Sequence, residues 1–184
     1  LKEIIPLVQS FSGNPEDLAR IQQNLELIRT NHGTTKTAEK VQVLERSFST
    51  IGKDVLNNWG LEPILGEWEY DSKAITVVLF WELWCPHCKQ ELQLIQDNVE
   101  PYKDQVDLIG VTRMSKGVQK DDVLEFFEKN PVSYPILKEN GVLSSYYFIP
   151  NIPEVILIKD NTVVWRGHPE RVNKELLQGF VEQN

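Results

Sequence analysis

Cys85 and Cys88 are the residues of this chain whose type and spacing most directly indicate chemistry. They are separated by Pro86 and His87, and they follow the apolar run at 75–80, where a strand-like pattern changes to a helical one. A helix that begins directly after the first cysteine of such a pair directs unpaired backbone N–H groups and its positive dipole end at the first sulfur. This favours the thiolate over the thiol, so the segment predicts thiol redox chemistry.

Two other roles are compatible with the same pair. A structural disulfide here would close a very short loop and remove little entropy from the unfolded chain, which makes stabilisation a poor explanation. Two thiolates also suit Cu(I), but neither His87 nor His168 supplies a third ligand at a convincing spacing. His87 itself is either a group that stabilises the Cys85 thiolate or an exposed loop residue with little effect on the sulfur.

Composition narrows the class of protein. The chain has 184 residues and a formal net charge of -8, from 27 acidic and 19 basic side chains. This length accommodates one large domain, or a domain with an appendage. No window is dense in Lys or Arg, which excludes the basic footprint of a nucleic-acid-binding protein. No apolar run approaches the roughly 20 residues that span a bilayer, so any membrane anchor is expected outside these residues.

Residues 1–60 have the pattern of helices. Asn14 is a predicted N-cap before Pro15, and 31–33 is a predicted helix end. A second helix is predicted at 37–58. The two apolar stripes are Leu18, Ile21, Leu25 and Ile28, then Val41, Leu44, Phe48, Ile51 and Val55. We predict an αα-hairpin that either covers apolar surface of the remaining chain or forms a homodimer through its own stripe.

From residue 75 onward the pattern is that of an α/β protein. The run at 75–81 is apolar on both faces, as in a central strand, and a helix at 86–102 connects it to a parallel strand at 106–111. The other predicted elements are an edge strand at 67–70, a helix from Asp121 to Asn130, a short helix at 143–146, a hairpin at 154–165 and a final helix from Pro169.

The segment at 80–88, with Trp81 and Trp84 before the cysteines, resembles the active site of the thioredoxin superfamily. It is most similar to the TlpA/ResA-like family of extracytoplasmic thiol-disulfide oxidoreductases. The resemblance extends over about 62–184, through Tyr134-Pro135-Ile136, Gly141, Tyr146 and the run at 149–153. It implies a thioredoxin fold at 61–184, preceded by a helical N-terminal extension at 1–60.

The resemblance also implies roles for individual residues. Cys85 would be the partly exposed nucleophile and Cys88 the residue that resolves the mixed disulfide. Pro153 would be a cis-proline, and the backbone of Ile152 would pair with an extended substrate peptide. Trp84 would lie in the surface that meets a partner, and Trp81 in the core. The partners would be cysteine-containing protein substrates and a redox partner protein, and no cofactor is expected.

Proton transfer and redox poise depend on further residues. Thioredoxin has a buried acid six residues before its first cysteine, where this chain has Leu79. Glu91, one helical turn after Cys88, matches the acid of the ResA-like branch and is either a proton shuttle or a surface carboxylate. Glu82 is expected to point to solvent.

The dipeptide Pro86-His87 is that of the oxidising DsbA-like proteins, whereas the surrounding sequence resembles a family rich in reductases. The direction of electron flow therefore stays open. Two functions of other classes also stay open: a soft-metal (copper) chaperone that uses the same cysteines, and a non-catalytic adaptor assembled through the helical extension.

Overall fold

The computed structural model describes residues 4–31, 36–72 and 74–182. The strands are β1 (Leu61–Leu65), β2 (Ile75–Phe80), β3 (Val106–Thr112), β4 (Ile136–Glu139), β5 (Glu154–Lys159) and β6 (Thr162–Gly167). The α-helices are α1 (Ile4–Ser10), α2 (Pro15–Asn31), α3 (Lys36–Phe48), α4 (Pro86–Val99), α5 (Lys120–Lys129), α6 (Val142–Tyr146) and α7 (Lys174–Val181). The strands form one sheet in the order β1-β4-β3-β2-β5-β6.

Strand β2 lies inside the sheet and leads directly to the cysteines. All six of its residues are buried, because helices cover both faces of the sheet. It pairs in parallel with β3 and antiparallel with β5. Val77 and Leu79 face the side covered by α4, α5 and α7, while Val78 and Phe80 face the side covered by α6. The predicted central strand and its parallel partner are confirmed.

The N-terminal helices pack against the rest of the chain. Phe11, Ile21 and Val41 are fully buried in the apolar cluster that also contains Trp165 of β6. The indole Nε1 of Trp165 donates a hydrogen bond of 3.0 Å to the carbonyl oxygen of Phe11. These helices therefore cover apolar surface at the β6 side, although the division into units at 1–60 and 61–184 stays a prediction.

The first predicted helix is confirmed as α2, and the second was predicted too long. The Oδ1 atom of Asn14 accepts a hydrogen bond of 2.8 Å from the backbone of Glu16, as expected of an N-cap. Asn31 is the last residue of α2, and the rest of the predicted end, His32 and Gly33, lies outside the described residues. An additional short helix, α1, precedes α2.

Helix α3 ends at Phe48, ten residues before the predicted end at 58, so Ile51 and Val55 are not part of a helical stripe. The chain turns after Phe48 and then follows the free edge of β6. Gly52, in a left-handed conformation with φ of 86°, donates to the carbonyl of Val163, and Val55 donates to that of Asn161. Backbone pairing with a strand edge thus replaces the last helical turns.

Three further elements differ from expectation. The edge strand is β1, which pairs antiparallel with β4, whereas 67–70 is not a strand. Trp68 and Tyr70 instead pack around Trp59, with ring centroids 5.1 and 5.2 Å from it. Strand β4 is a four-residue strand in a segment for which no strand was predicted. The final helix begins at Lys174, and a 3₁₀ turn occupies Pro169–Arg171.

Among the described residues, none of the helices combines the length and apolar composition that crossing a membrane requires.

Candidate functional site

The two cysteines lie where β2 passes into α4. Cys85 is the N-cap of α4, and its Sγ accepts a hydrogen bond of 3.2 Å from the backbone N–H of Cys88. The two residues form a disulfide, with Cα atoms 5.3 Å apart. Cys88 is fully buried and Cys85 is 6% exposed, so the expectation of a partly exposed Cys85 is wrong for the disulfide form. The predicted orientation of the helix N-terminus toward the first sulfur is present.

The strand register brings Pro153 to the end of β2. Phe80, the last residue of β2, is the partner of Glu154, the first residue of β5. The residues just beyond these, Trp81 and Pro153, therefore lie at the same end of the sheet as the cysteines. The peptide bond between Ile152 and Pro153 is cis. Ile152 is half-buried and contacts the apolar clusters on both faces of the sheet.

Trp84 is held by the loop that follows β3. Its side chain is 40% exposed, and its Nε1 donates a hydrogen bond of 2.8 Å to the Oγ of Ser115. The Nζ of Lys116 lies 3.2 Å from the centroid of the Trp84 ring, a cation–π contact. The neighbouring Trp81 is buried, as predicted for a core residue.

Glu82 does not point to solvent, contrary to expectation. It is 4% exposed, and its two carboxylate oxygens accept hydrogen bonds of 3.2 and 3.0 Å from the backbone N–H groups of Arg113 and Ser115. Hydrogen bonds to a charged acceptor are stronger than neutral ones, which explains why the carboxylate is stable in a buried position. Glu82 therefore fixes the same loop that holds Trp84.

Glu91 lies on the inner side of α4, one turn after Cys88. It is 7% exposed, and its Oε2 has no hydrogen-bond partner among the described residues. Burial raises the pKa of Glu91, His168 and His87 lower it, and Glu170 raises it. Of the two roles predicted for Glu91, that of a surface carboxylate does not fit this burial. The role of a proton shuttle stays a prediction.

Glu91 also belongs to a group of potential metal ligands. Within the described residues, one atom from each of Glu91, His168 and Glu170 lies within 4.8 Å of the others. This group contains neither cysteine, so His168 is placed with carboxylates rather than with the two sulfurs.

Arg166 connects the site to the N-terminal helices, and the sequence did not indicate this. It is 2% exposed, and its Nε and Nη2 both donate to Glu154, the residue after Pro153. Its Nη1 donates to the carbonyl of Ser47 and the hydroxyl of Thr50, each at 2.8 Å. Further bonds of 3.0 Å reach the carbonyls of two residues near the end of α6, Tyr147 and Phe148.

A redox-active disulfide at the start of a helix, at one end of a mixed sheet with this strand order, defines the class of protein: a thiol-disulfide oxidoreductase of the thioredoxin fold. Comparison with known proteins agrees. Residues 67–166 match the AhpC/TSA family, and the chain belongs to that family.

Several similar proteins are named as thiol-disulfide oxidoreductases. The chain is 30% identical over 159 residues to the thiol-disulfide oxidoreductase ResA of Geobacillus kaustophilus, covering 84% of each chain. It is 28% identical over 110 residues to sporulation thiol-disulfide oxidoreductase A of Bacillus subtilis, covering 59% of this chain and 67% of the relative. The crystal structure of StoA from Bacillus subtilis superposes with a TM-score of 0.51 and 26% identity, over 58% of this chain and 84% of that one. The predicted family, fold and enzyme class are confirmed.

Proposed function

We propose that the protein exchanges disulfides with cysteines of partner proteins, with Cys85 as the attacking residue. The observation that carries this assignment is the hydrogen bond of 3.2 Å from the Cys88 N–H to the Cys85 Sγ at the N-terminus of α4. In the reduced protein the same N–H and the helix dipole stabilise a negative charge on that sulfur. Cys88 lacks this environment because it is buried one turn further along the helix.

The exchange proceeds in two steps. The Cys85 thiolate attacks one sulfur of the partner's disulfide, which forms a mixed disulfide and releases the partner's other cysteine as a thiolate. Cys88 then loses its proton and attacks the Cys85 sulfur, which releases the second partner cysteine. Two electrons have passed to the partner, and Cys85 and Cys88 form a disulfide. The reverse sequence oxidises a partner dithiol.

Glu91 accepts the proton of Cys88 in the second step. A general base needs a pKa near the operating pH, and burial raises the pKa of Glu91 toward that range. The free Oε2 atom of Glu91 leaves a site for the proton. His168 lies beside this carboxylate and opposes the effect of burial on its pKa.

The partner binds across Trp84 and Ile152. An extended peptide can pair with the backbone of Ile152 in the manner of an added strand, which would align its cysteine with Cys85. The exposed ring of Trp84 supplies apolar contact area next to the reacting sulfur.

Pro86 and His87 set the redox poise. Pro86 begins α4 without needing a hydrogen-bond acceptor, and the exposed His87 stabilises the Cys85 thiolate when it carries a proton. Stabilising the reduced form raises the reduction potential, so we expect a value above the roughly -270 mV of thioredoxin. The potential of the partner then decides whether the protein acts as an oxidant or a reductant.

We place this activity outside the cytoplasm, where disulfides persist, in line with the resemblance to extracytoplasmic oxidoreductases. Any membrane anchor would lie outside the present chain. Self-association through the helical extension stays a prediction, and among the residues of the extension that the structure describes, Leu27 and Val43 are large apolar side chains that are exposed, at 54% and 37%.

Trapping of the mixed disulfide tests the assignment of Cys85. Reduced Cys88→Ser protein should accumulate a covalent adduct with insulin, and reduced Cys85→Ser protein should not. The wild-type protein is the control, and it should reduce insulin without a lasting adduct. Equal accumulation by both variants would refute the assignment.

The two alternative functions give different results. Stoichiometric copper in protein purified under reducing conditions, together with no reduction of insulin, would favour the metal chaperone. Full biological activity of Cys85→Ser would favour the adaptor.

A further inference from the structure

The chain segments around Cys85 carry a net charge opposite in sign to that of the whole chain. Three segments lie at the end of the sheet that carries the cysteine: 83–90, which contains it, 113–119 after β3, and 147–153 before β5. They contain three of the 19 Lys and Arg residues of the chain and none of its 27 acidic residues. Lys89, Arg113 and Lys116 are exposed, as is His87. A protein with a net charge of -8 thus presents positive charge at its reactive site.

The acidic residues that border these segments are largely buried. Glu82 is 4% exposed and binds two backbone N–H groups. Glu91 is 7% exposed. The side chain of Glu154 is 14% exposed and paired with Arg166. None of the three can neutralise the exposed cations in the way that a surface carboxylate would.

Other acids near the site are exposed, and two of them form contacts within the chain. Asp122, in the first turn of α5, caps the helix by accepting a hydrogen bond of 2.8 Å from the backbone of Gln119. Glu170 is exposed and lies 3.6 Å from the Nδ1 of His168. Asp121, also in that first turn, is the exposed acid that follows the loop.

One of these cations is held in place next to Trp84. Lys116 lies on the Trp84 ring, and that ring is fixed by Ser115. The loop reaches this shape through left-handed backbone conformations at Met114, Lys116 and Gly117, with φ of 53°, 59° and 80°. A positive charge positioned next to an exposed aromatic ring suits a partner with complementary negative charge.

We propose that the preferred partners are proteins whose reactive cysteine is flanked by Asp or Glu in an extended segment, recognised by the exposed Lys116, Arg113, His87 and Lys89. This inference rests on the proposed function and names the substrate class of that site. Charges at the rim of a contact act mainly on the rate of association, so the preference should appear in second-order rate constants and weaken with salt.

Three synthetic peptides test the proposal. Each carries one cysteine as a mixed disulfide with 2-thiopyridine, flanked by Asp/Glu, by Asn/Gln or by Lys, and the reaction with reduced wild-type protein is followed by thiopyridone release. Rates are divided by those of the same peptides with 2-mercaptoethanol, which removes intrinsic differences in reactivity. At low ionic strength the acidic peptide should react about tenfold faster than the basic one, and the ratio should approach one in high salt.

Charge-reversal variants locate the effect. The double variant Arg113→Glu/Lys116→Glu should invert the preference. The matched control is Lys103→Glu/Lys129→Glu, which changes the net charge equally. Lys103 follows the far end of α4, about 20 Å from Cys85 at 1.5 Å per helical residue, and Lys129 ends α5. The control should keep the wild-type ratio.

Equal rates for the three peptides, or an unchanged ratio in the Arg113→Glu/Lys116→Glu variant, would overturn this inference and leave the proposed function intact. No reaction with any peptide would overturn both.

Discussion

Arg166→Met removes a guanidinium that joins three parts of the chain at the residue after Pro153. Its hydrogen bonds reach the end of α3, the end of α6 and the carboxylate of Glu154. Because Arg166 is 2% exposed, water cannot replace these contacts without a local rearrangement. The variant removes the guanidinium donor from the carboxylate of Glu154 and from the carbonyl oxygens of Tyr147 and Phe148, whereas the carbonyl of Ser47 still accepts from Thr50.

The size of the effect follows from this geometry. Removing one partner of a buried ion pair costs about 3–5 kcal/mol, since the remaining charge stays desolvated. For a chain of this size that corresponds to a decrease in melting temperature of roughly 6–20 °C. The double variant Arg166→Met/Glu154→Gln should recover part of the loss, because it removes the unpaired charge. Arg166→Lys should be intermediate, since an ammonium lacks the planar fork that serves several acceptors.

The loss should also depend on pH. Burial raises the pKa of Glu154, while Arg166 lowers it through its charge and its hydrogen bond. Without Arg166 the folded-state pKa rises further above the unfolded value. The folded variant then binds its proton more tightly than the unfolded chain, so its stability falls as pH rises from the ordinary carboxyl pKa through the raised one. We expect a smaller difference from wild type at pH 4 than at pH 7.

Chemical denaturation of the oxidised proteins measures these differences. Arg20→Met is the matched control, because Arg20 forms an exposed pair with Asp17 whose side chains are 65% and 36% exposed. Exposed pairs contribute less than about 1 kcal/mol. A loss below about 1 kcal/mol for Arg166→Met, equal to that of the control, would refute the view that this ion pair is desolvated.

Two further outcomes concern the acids beside the cysteines. Glu82→Ala removes the acceptor of two partly buried N–H groups in the 113–117 loop and should cost about 2–4 kcal/mol in denaturation, whereas Ser115→Ala should cost about 1 kcal/mol. Equal losses would contradict the role assigned to Glu82. Burial raises the pKa of Glu91, so the folded state holds that proton more tightly than the unfolded state. Wild-type stability relative to Glu91→Gln should therefore fall as pH rises from the ordinary carboxyl pKa through the raised one, and a difference that grows in the opposite direction would contradict the burial of the carboxylate.

The sequence predicted those parts of the site that depend on neighbouring residues. The α4 start at Pro86 and its orientation toward Cys85 follow from a strand-to-helix change and an N-cap position that are visible within ten residues. The placement of Glu91 follows from helical spacing after Cys88. These contacts are local, so the pattern of residue types is sufficient to predict them.

The features that sequence reasoning missed depend on distant partners. Glu82 is buried because backbone N–H groups after β3 bind it. Almost every residue type has a backbone N–H group, so the sequence does not show which ones bind a side chain. Arg166 is a charged residue near the end of a strand, where the sequence alone favours a position at the surface, yet the ends of α3 and α6 enclose it. The early end of α3 also depends on distant partners, since Arg166 binds the carbonyl of Ser47 next to the last residue of α3, and residues 52–55 pair with the edge of β6.

The central claim, that the α4 N-terminus activates Cys85, is tested most directly by the pH dependence of its alkylation in reduced protein. Iodoacetamide reacts with the thiolate, and mass spectrometry assigns the modified residue. We expect Cys85 to be alkylated first, with a half-maximal rate below about pH 8.5, the value for an ordinary cysteine. A half-maximal rate at or above that pH, or faster alkylation of Cys88, would contradict the account.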